Sequence, residues 1–135
     1  MKDHFDLTDD EFFDQMETGI LRKKYFSHSA HLRLAWIHIE KFGPKAAEDT
    51  IATQIKNYVT RIGMGDKFNL SLTIACVRIL QHYIDLSRAK SFMDLINRYP
   101  ELQNDFRSVL AQYYSDIVFS EAAKHKFIEP DRQPF

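Results

Sequence analysis

The sequence predicts an all-α fold, a compact single-domain bundle of five to seven helices over residues 1–135. Hydrophobic residues make up 44% of the chain and aromatic residues 13%, which is enough apolar mass for one core. Only four glycines and four prolines occur, so long packed elements are favoured over loops. Apolar residues recur at spacings of three and four, and no window alternates with period two.

The first two helices are marked by capping residues. Thr8 with Glu11 forms a capping box, so we expect the first helix to begin near Asp9 and to end before Gly19. Either Ser27 or Ser29 can cap a second helix that Gly43 closes. Its apolar arc is lined along one edge by histidines, which makes this helix the most informative part of the chain. The arc consists of Leu32, Ala35, Trp36, Ile39 and Phe42.

The third and fourth helices follow from the same signals. Pro44 suits the first turn of the third helix, whose apolar residues recur regularly up to Gly63. Asn69 is the expected cap of the fourth helix, which runs from about residue 70 to 86. Apolar residues lie on most sides of that segment, so it is predicted to be the central helix.

The C-terminal third contains shorter elements. Ser91 with Asp94 resembles a capping box and begins a short helix that Pro100 interrupts. A further helix is expected over 102–113, and a last turn or two over 115–127. We expect the ordered core to cover about 7–127. The proline-containing tail, 128–135, is predicted to be extended and to lie against the body of the protein.

Charge and apolar content exclude several classes of function. Lysine plus arginine total 18 and aspartate plus glutamate 19, so no broad basic surface that would bind nucleic acid is expected. The N-terminus has no apolar leader, and no apolar stretch reaches the ~20 residues that a membrane span needs. The expected location is therefore the cytoplasm, with no membrane partner. The single cysteine, Cys76, lies in an apolar run and is expected to be a buried thiol.

A histidine pair is the sharpest chemical signal. His28 and His31 are three residues apart on the second helix, so their side chains are neighbours that can share a divalent metal or an anion. Metal ligation needs a third ligand, which the sequence does not identify. The alternative is that His28 packs at the helix start and His31 donates a hydrogen bond at the core edge. Both interpretations stay open at this point.

Four landmarks resemble a bacterial family of small all-helical proteins of uncharacterised function. Residues 26–36 read F-x-H-x-x-H-L-R-L-A-W, 68–73 read F-N-L-S-L-T, 113–115 read Y-Y-S and 127–131 read F-I-E-P-D. In that family the second landmark usually reads Y-H-E-T-x-T. The resemblance implies an imidazole and a carboxylate beside the histidine pair. In this chain Asn69 and Leu70 replace those two residues, and Thr73 matches.

Three hypotheses about function follow. The first is binding of a small molecule or protein partner in a polar pocket between the second and fourth helices, formed by His28, His31, Arg33, Asn69 and Thr73. The second is a metal-assisted hydrolase or isomerase that uses the histidine pair. The third is a structural or interaction module, including a homodimer formed through exposed apolar residues such as Ile37 or Phe135.

Overall fold

The computed structural model describes residues 3–135 and confirms the all-α fold. Eight α-helices lie in this part of the chain, and five of them contain seven or more residues. The five longer helices match the first five predicted elements, and the three short helices lie within 101–125, where two further elements are predicted. Two units divide the chain, residues 1–68 and residues 69–135, and each is described by itself below.

The first unit contains three long helices. α2 packs against α3, and α1 packs against both. They are α1 (Asp9–Thr18), α2 (His28–Phe42) and α3 (Pro44–Arg61), with 3₁₀ turns at His4–Asp6, Lys23–Tyr25 and Gly65–Lys67.

The helix ends of the first unit match the expected capping chemistry. The Thr8 hydroxyl accepts from the Glu11 amide at 3.1 Å, and Glu11 Oε1 accepts from the Thr8 amide at 2.9 Å. This reciprocal capping box satisfies two amides that the first turn leaves without helical partners. Gly19 closes α1 in the left-handed region, at φ 78°. Ser27, rather than Ser29, caps α2 by accepting from the Ala30 amide.

Burial in α2 extends around most of the helix. Residues 32–39 are all buried, including Ile37 at 2% exposure. The sequence-based hypothesis of an exposed Ile37 at a dimer surface is therefore wrong, because a helix that is apolar on most sides lies in the core. Large side chains from all three helices complete this core: Phe12, Met16, Leu32, Leu34, Ile51 and Tyr58.

The second unit begins at Asn69. α4 packs against α5 and α8, and α6 packs against α5 and α7. The helices are α4 (Leu70–Ser87), α5 (Phe92–Arg98), α6 (Glu101–Asn104), α7 (Phe106–Ala111) and α8 (Glu121–His125), with a 3₁₀ turn at Asp116–Phe119. The single helix expected over 102–113 is divided at Asp105, whose φ of −148° and ψ of 50° are not helical.

The C-terminal tail is held to the second unit by hydrogen bonds. The Tyr114 hydroxyl donates to the Ile128 carbonyl at 2.6 Å, and the Arg132 amide donates to the Tyr113 carbonyl at 2.9 Å. Phe135 stacks on Tyr113 with ring centroids 5.0 Å apart. These contacts fix a segment that lacks helical hydrogen bonds of its own.

Cys76 is buried, as expected, and burial raises the pKa of its thiol to about 12. The thiol is therefore protonated at neutral pH and is not a nucleophile. Within residues 3–135, no helix has the length and apolar character needed to cross a membrane.

Candidate functional site

Three helices of the first unit form a cleft of about 440 Å³. This volume lies in the range of small-molecule binding sites. Each helix contributes residues four positions apart, which places their side chains on one face. The lining residues are Phe13 and Glu17 from α1, His38 and Phe42 from α2, and Asp49, Thr50, Thr53, Gln54 and Asn57 from α3.

His38 is the most buried polar side chain of the cleft, at 1% exposure. Its Nδ1 lies 2.8 Å from the Thr50 hydroxyl, and its Nε2 lies 2.8 Å from Gln54 Oε1. The Gln54 amide nitrogen donates to Glu17 Oε2 at 2.7 Å. A continuous hydrogen-bonded chain therefore runs from Thr50 through the imidazole and the Gln54 amide to the Glu17 carboxylate.

The proton positions in this chain follow from the chemistry of its ends. An ionised Glu17 only accepts, so the Gln54 NH₂ group must face it and the Gln54 carbonyl must face His38. That carbonyl also only accepts, so His38 carries its proton on Nε2. His38 Nδ1 is then the acceptor for the Thr50 hydroxyl. The three helices thus hold one tautomer of the imidazole.

Burial lowers the pKa of His38. The Gln54 hydrogen bond and the Glu17 charge oppose this shift, and the Lys41 charge adds to it. His38 is therefore neutral at pH 7. Because both of its ring nitrogens are bonded within the protein, neither is available to a substrate. The arrangement is suited to positioning and binding, and it is poorly suited to proton transfer.

Aromatic rings form the apolar side of the cleft. The His38 ring centroid lies 5.3 Å from that of Phe13 and 5.6 Å from that of Phe42. The two phenyl centroids are 6.3 Å apart. Phe42 is 44% exposed although it is a large apolar side chain. One side of the cleft thus presents aromatic carbon, and the α3 side presents carboxylate, amide and hydroxyl groups.

The predicted histidine pair lies on the first turn of α2. His28 is exposed, whereas His31 is half-buried and stacks on Phe26 with centroids 5.8 Å apart. The His31 Nε2 atom is buried and has no hydrogen-bond partner among the described residues. Burial and then the His28 charge lower the pKa of His31 to about 4. Within residues 3–135, no group of three or more histidine, cysteine, aspartate or glutamate side chains is arranged to hold a metal ion.

Arg33, another predicted pocket residue, is buried and forms four hydrogen bonds within the first unit. Its Nε and NH2 groups contact Asp9 Oδ1 at 3.0 and 2.8 Å, and NH2 also donates to the Leu7 carbonyl at 2.8 Å. NH1 donates to the His4 carbonyl at 2.6 Å and lies 3.3 Å from His4 Nδ1. These contacts comprise four hydrogen bonds and one ion-pair contact of the guanidinium. Arg33 therefore fastens the segment before α1 to α2.

The same contacts determine the state of His4. Arginine only donates, so His4 Nδ1 accepts from Arg33, and the Nε2 proton points to the Ser29 hydroxyl at 3.2 Å. Burial and the adjacent guanidinium lower the pKa of His4 to about 4. Protonation of His4 Nδ1 would direct an N–H group at the positively charged Arg33 guanidinium, which disfavours the charged form of His4.

The remaining two predicted pocket residues lie at the start of α4 in the second unit. Asn69 Oδ1 accepts from the Leu72 amide at 3.0 Å, which confirms its capping role, and Asn69 Nδ2 donates to the Val118 carbonyl at 2.8 Å. Thr73 is buried and donates to the Asn69 carbonyl at 2.8 Å. Both side chains are thus bonded to the backbone of their own unit. The pocket predicted between the second and fourth helices stays a prediction.

The sequence analysis does not predict the cleft, although the sequence contains a signal for two of its residues, Gln54 and His38. Gln54 lies three positions after Ile51 and four before Tyr58, on the apolar stripe of α3. A polar residue at such a position needs a buried partner. His38 offers the same signal on α2, but which polar residues meet is a property of the packing.

No protein-family model, curated protein or solved structure matches this chain.

Proposed function

We propose that this protein is a small-molecule-binding protein and that its site is the cleft formed by α1, α2 and α3. One observation carries the proposal: the cleft contains a buried imidazole whose tautomer is fixed by Thr50 and Gln54. Burying such a polar chain costs free energy unless every member is satisfied. A chain that is satisfied at the base of an open cleft gives the site a rigid, defined shape.

Binding is favoured over catalysis for a chemical reason. An acid or base must reach the reacting group with a free nitrogen or oxygen, and both His38 nitrogens are bonded within the protein. The histidine-pair enzyme is a less supported alternative, since the His31 Nε2 atom is buried and no third ligand joins the pair among residues 3–135. Four sequence-based predictions stay proposals in addition to the cleft. They are the family resemblance, a pocket that includes Asn69 and Thr73, a homodimer and a cytoplasmic location.

A fragment screen with a cleft-blocking variant tests the proposal. Thr53 is an exposed cleft residue on α3, so Thr53→Trp is expected to fill the cleft without disturbing the core. Lys56→Trp adds the same side chain to an exposed position of α3 outside the lining and is the matched control. The library contains cationic, neutral and anionic fragments, and binding is followed by NMR of the ¹⁵N-labelled full chain.

The expected result is a set of fragments that shift amides of α1, α2 and α3 in the wild type and in Lys56→Trp. Those shifts should disappear in Thr53→Trp. If no fragment binds, or if binding is equal in the two tryptophan variants, the cleft is not the site and the proposal is wrong.

A further inference from the structure

We infer that the ligand of the cleft is an organic cation, an ammonium group attached to an apolar body. The inference rests on the proposed function and names the chemical class of its ligand. It is drawn from the charges of the lining, the aromatic side of the cleft and the pairing of the nearby lysine.

The lining is negatively charged. Glu17 and Asp49 contribute two carboxylates, and no lysine or arginine among residues 3–135 lines the cleft. His38 adds no positive charge at neutral pH, because its pKa is lowered by burial. A phosphate or carboxylate ligand would therefore meet like charges, whereas an ammonium group would be attracted.

The Glu17 and Asp49 carboxylates also remain available to bind a cationic ligand. Neither forms an ion pair with a lysine or arginine among residues 3–135. Glu17 uses Oε2 to accept from Gln54, and its Oε1 has no hydrogen-bond partner in the described chain. Both side chains are exposed to solvent, so a ligand can reach them without opening the core.

The aromatic side matches the same class of ligand. Phenyl rings carry negative charge on their faces and attract ammonium groups within about 6 Å of the ring centroid. Phe13 already does this within the protein, because Lys41 Nζ lies 4.9 Å from its centroid. That lysine also forms an ion pair with Asp10 at 3.2 Å, a carboxylate outside the lining. Phe42, which is 44% exposed, provides further aromatic surface for the apolar body.

Three probes that share one aromatic ring test the inference. They are 2-phenylethylammonium, 2-phenylethanol and phenylacetate, which carry a cationic, a neutral and an anionic group. Each is titrated into the ¹⁵N-labelled full chain at low ionic strength. We expect the ammonium probe to bind at least about tenfold more tightly than the other two, with shifts in α1, α2 and α3.

Charge-neutral variants locate the attraction. Glu17→Gln/Asp49→Asn is expected to weaken binding of the ammonium probe about tenfold and to leave 2-phenylethanol within about twofold. Asp49→Asn alone keeps the Gln54 hydrogen bond to Glu17 intact and should give about a threefold loss. The control Asp14→Asn/Glu40→Gln removes two exposed carboxylates outside the lining and should leave the order of the probes unchanged.

The outcomes separate the two proposals. If the alcohol or the carboxylate binds as tightly as the ammonium probe, or if no probe shifts the cleft, the ligand is not an organic cation. The same holds if Glu17→Gln/Asp49→Asn and its control weaken the ammonium probe equally. Fragments that bind in the cleft and are lost in Thr53→Trp would still support the proposed function. An empty screen would overturn both.

Discussion

His38 Nε2 donates to Gln54 Oε1 at 2.8 Å, and the direction of this bond is fixed by a third residue, because the Gln54 amide nitrogen donates to Glu17. The cleft therefore depends on a polar chain that crosses three helices. Such a chain rigidifies a fold when all its members are satisfied and destabilises it when one is missing.

Replacing Gln54 tests this chain directly. Gln54→Leu leaves the His38 N–H without its acceptor, so we expect the free energy of unfolding to fall by about 1–3 kcal/mol. Urea unfolding measures the change, and long-range ¹H–¹⁵N spectra of the His38 ring report its tautomer. The wild type should show the Nε2–H form. Gln112→Leu, at an exposed position, should change stability by less than about 0.5 kcal/mol. Equal effects of the two substitutions would contradict the network.

Arg33 is expected to be a structural residue. Arg33→Lys keeps the charge but cannot reproduce five donors in a planar fork, so the free energy of unfolding should fall by about 2–4 kcal/mol. Hydrogen exchange should accelerate at the Leu7 amide, which donates to the His4 carbonyl. Arg22→Lys, at an exposed position, is the control and should have little effect. If hydrogen exchange of the Leu7 amide is unchanged in Arg33→Lys, the Arg33 hydrogen bonds are not needed to hold the segment before α1 in place.

Stability should fall on acidification through two histidines. The pKa values of His4 and His31 are about 4 in the folded state and 6.5 in the unfolded state, so the unfolded state binds more protons between these values. Their contribution is complete above pH 6.5 and is lost as the pH falls towards 4. The loss is about 1–3 kcal/mol per histidine.

His31→Phe tests the contribution of one histidine. It removes a titrating group and a buried nitrogen that has no partner, so the decline in unfolding free energy between pH 7 and pH 5 should become smaller. His82→Phe, at an exposed histidine, should leave the decline unchanged. Denaturant unfolding over this pH range measures both. A pH-independent wild type would contradict the lowered pKa values.

Asn69 combines two roles that substitution can separate. Asn69→Asp keeps an oxygen to cap the Leu72 amide but loses the donor to the Val118 carbonyl. Asn69→Ala loses both and should destabilise the protein by about 2–3 kcal/mol, against about 1 kcal/mol for Asn69→Asp. Thermal and urea unfolding give this order, with Asn97→Ala as an exposed asparagine control. Equal losses in the two Asn69 variants would mean that capping contributes nothing.

Local chemistry is what the sequence predicted best. The capping box at Thr8 and Glu11, the stop at Gly19 and the cap at Asn69 depend on residues within a few positions of each other. Their outcome is therefore determined before any tertiary contact forms. The prediction of one helix over 102–113 was wrong, because the non-helical backbone at Asp105 divides this segment into two helices.

The candidate site was decided by packing. Histidine spacing and the resemblance landmarks predict a pocket of His28, His31, Arg33, Asn69 and Thr73. The last three of these side chains are bonded to their own surroundings as structural groups. The sequence by itself determined the all-α class and the capped ends of α1 and α4, because spacing and capping act locally. Only the tertiary structure decided that Glu17, His38 and Gln54 form one hydrogen-bonded chain across α1, α2 and α3. These residues lie far apart in sequence, and they meet only because the apolar faces of the three helices are buried together.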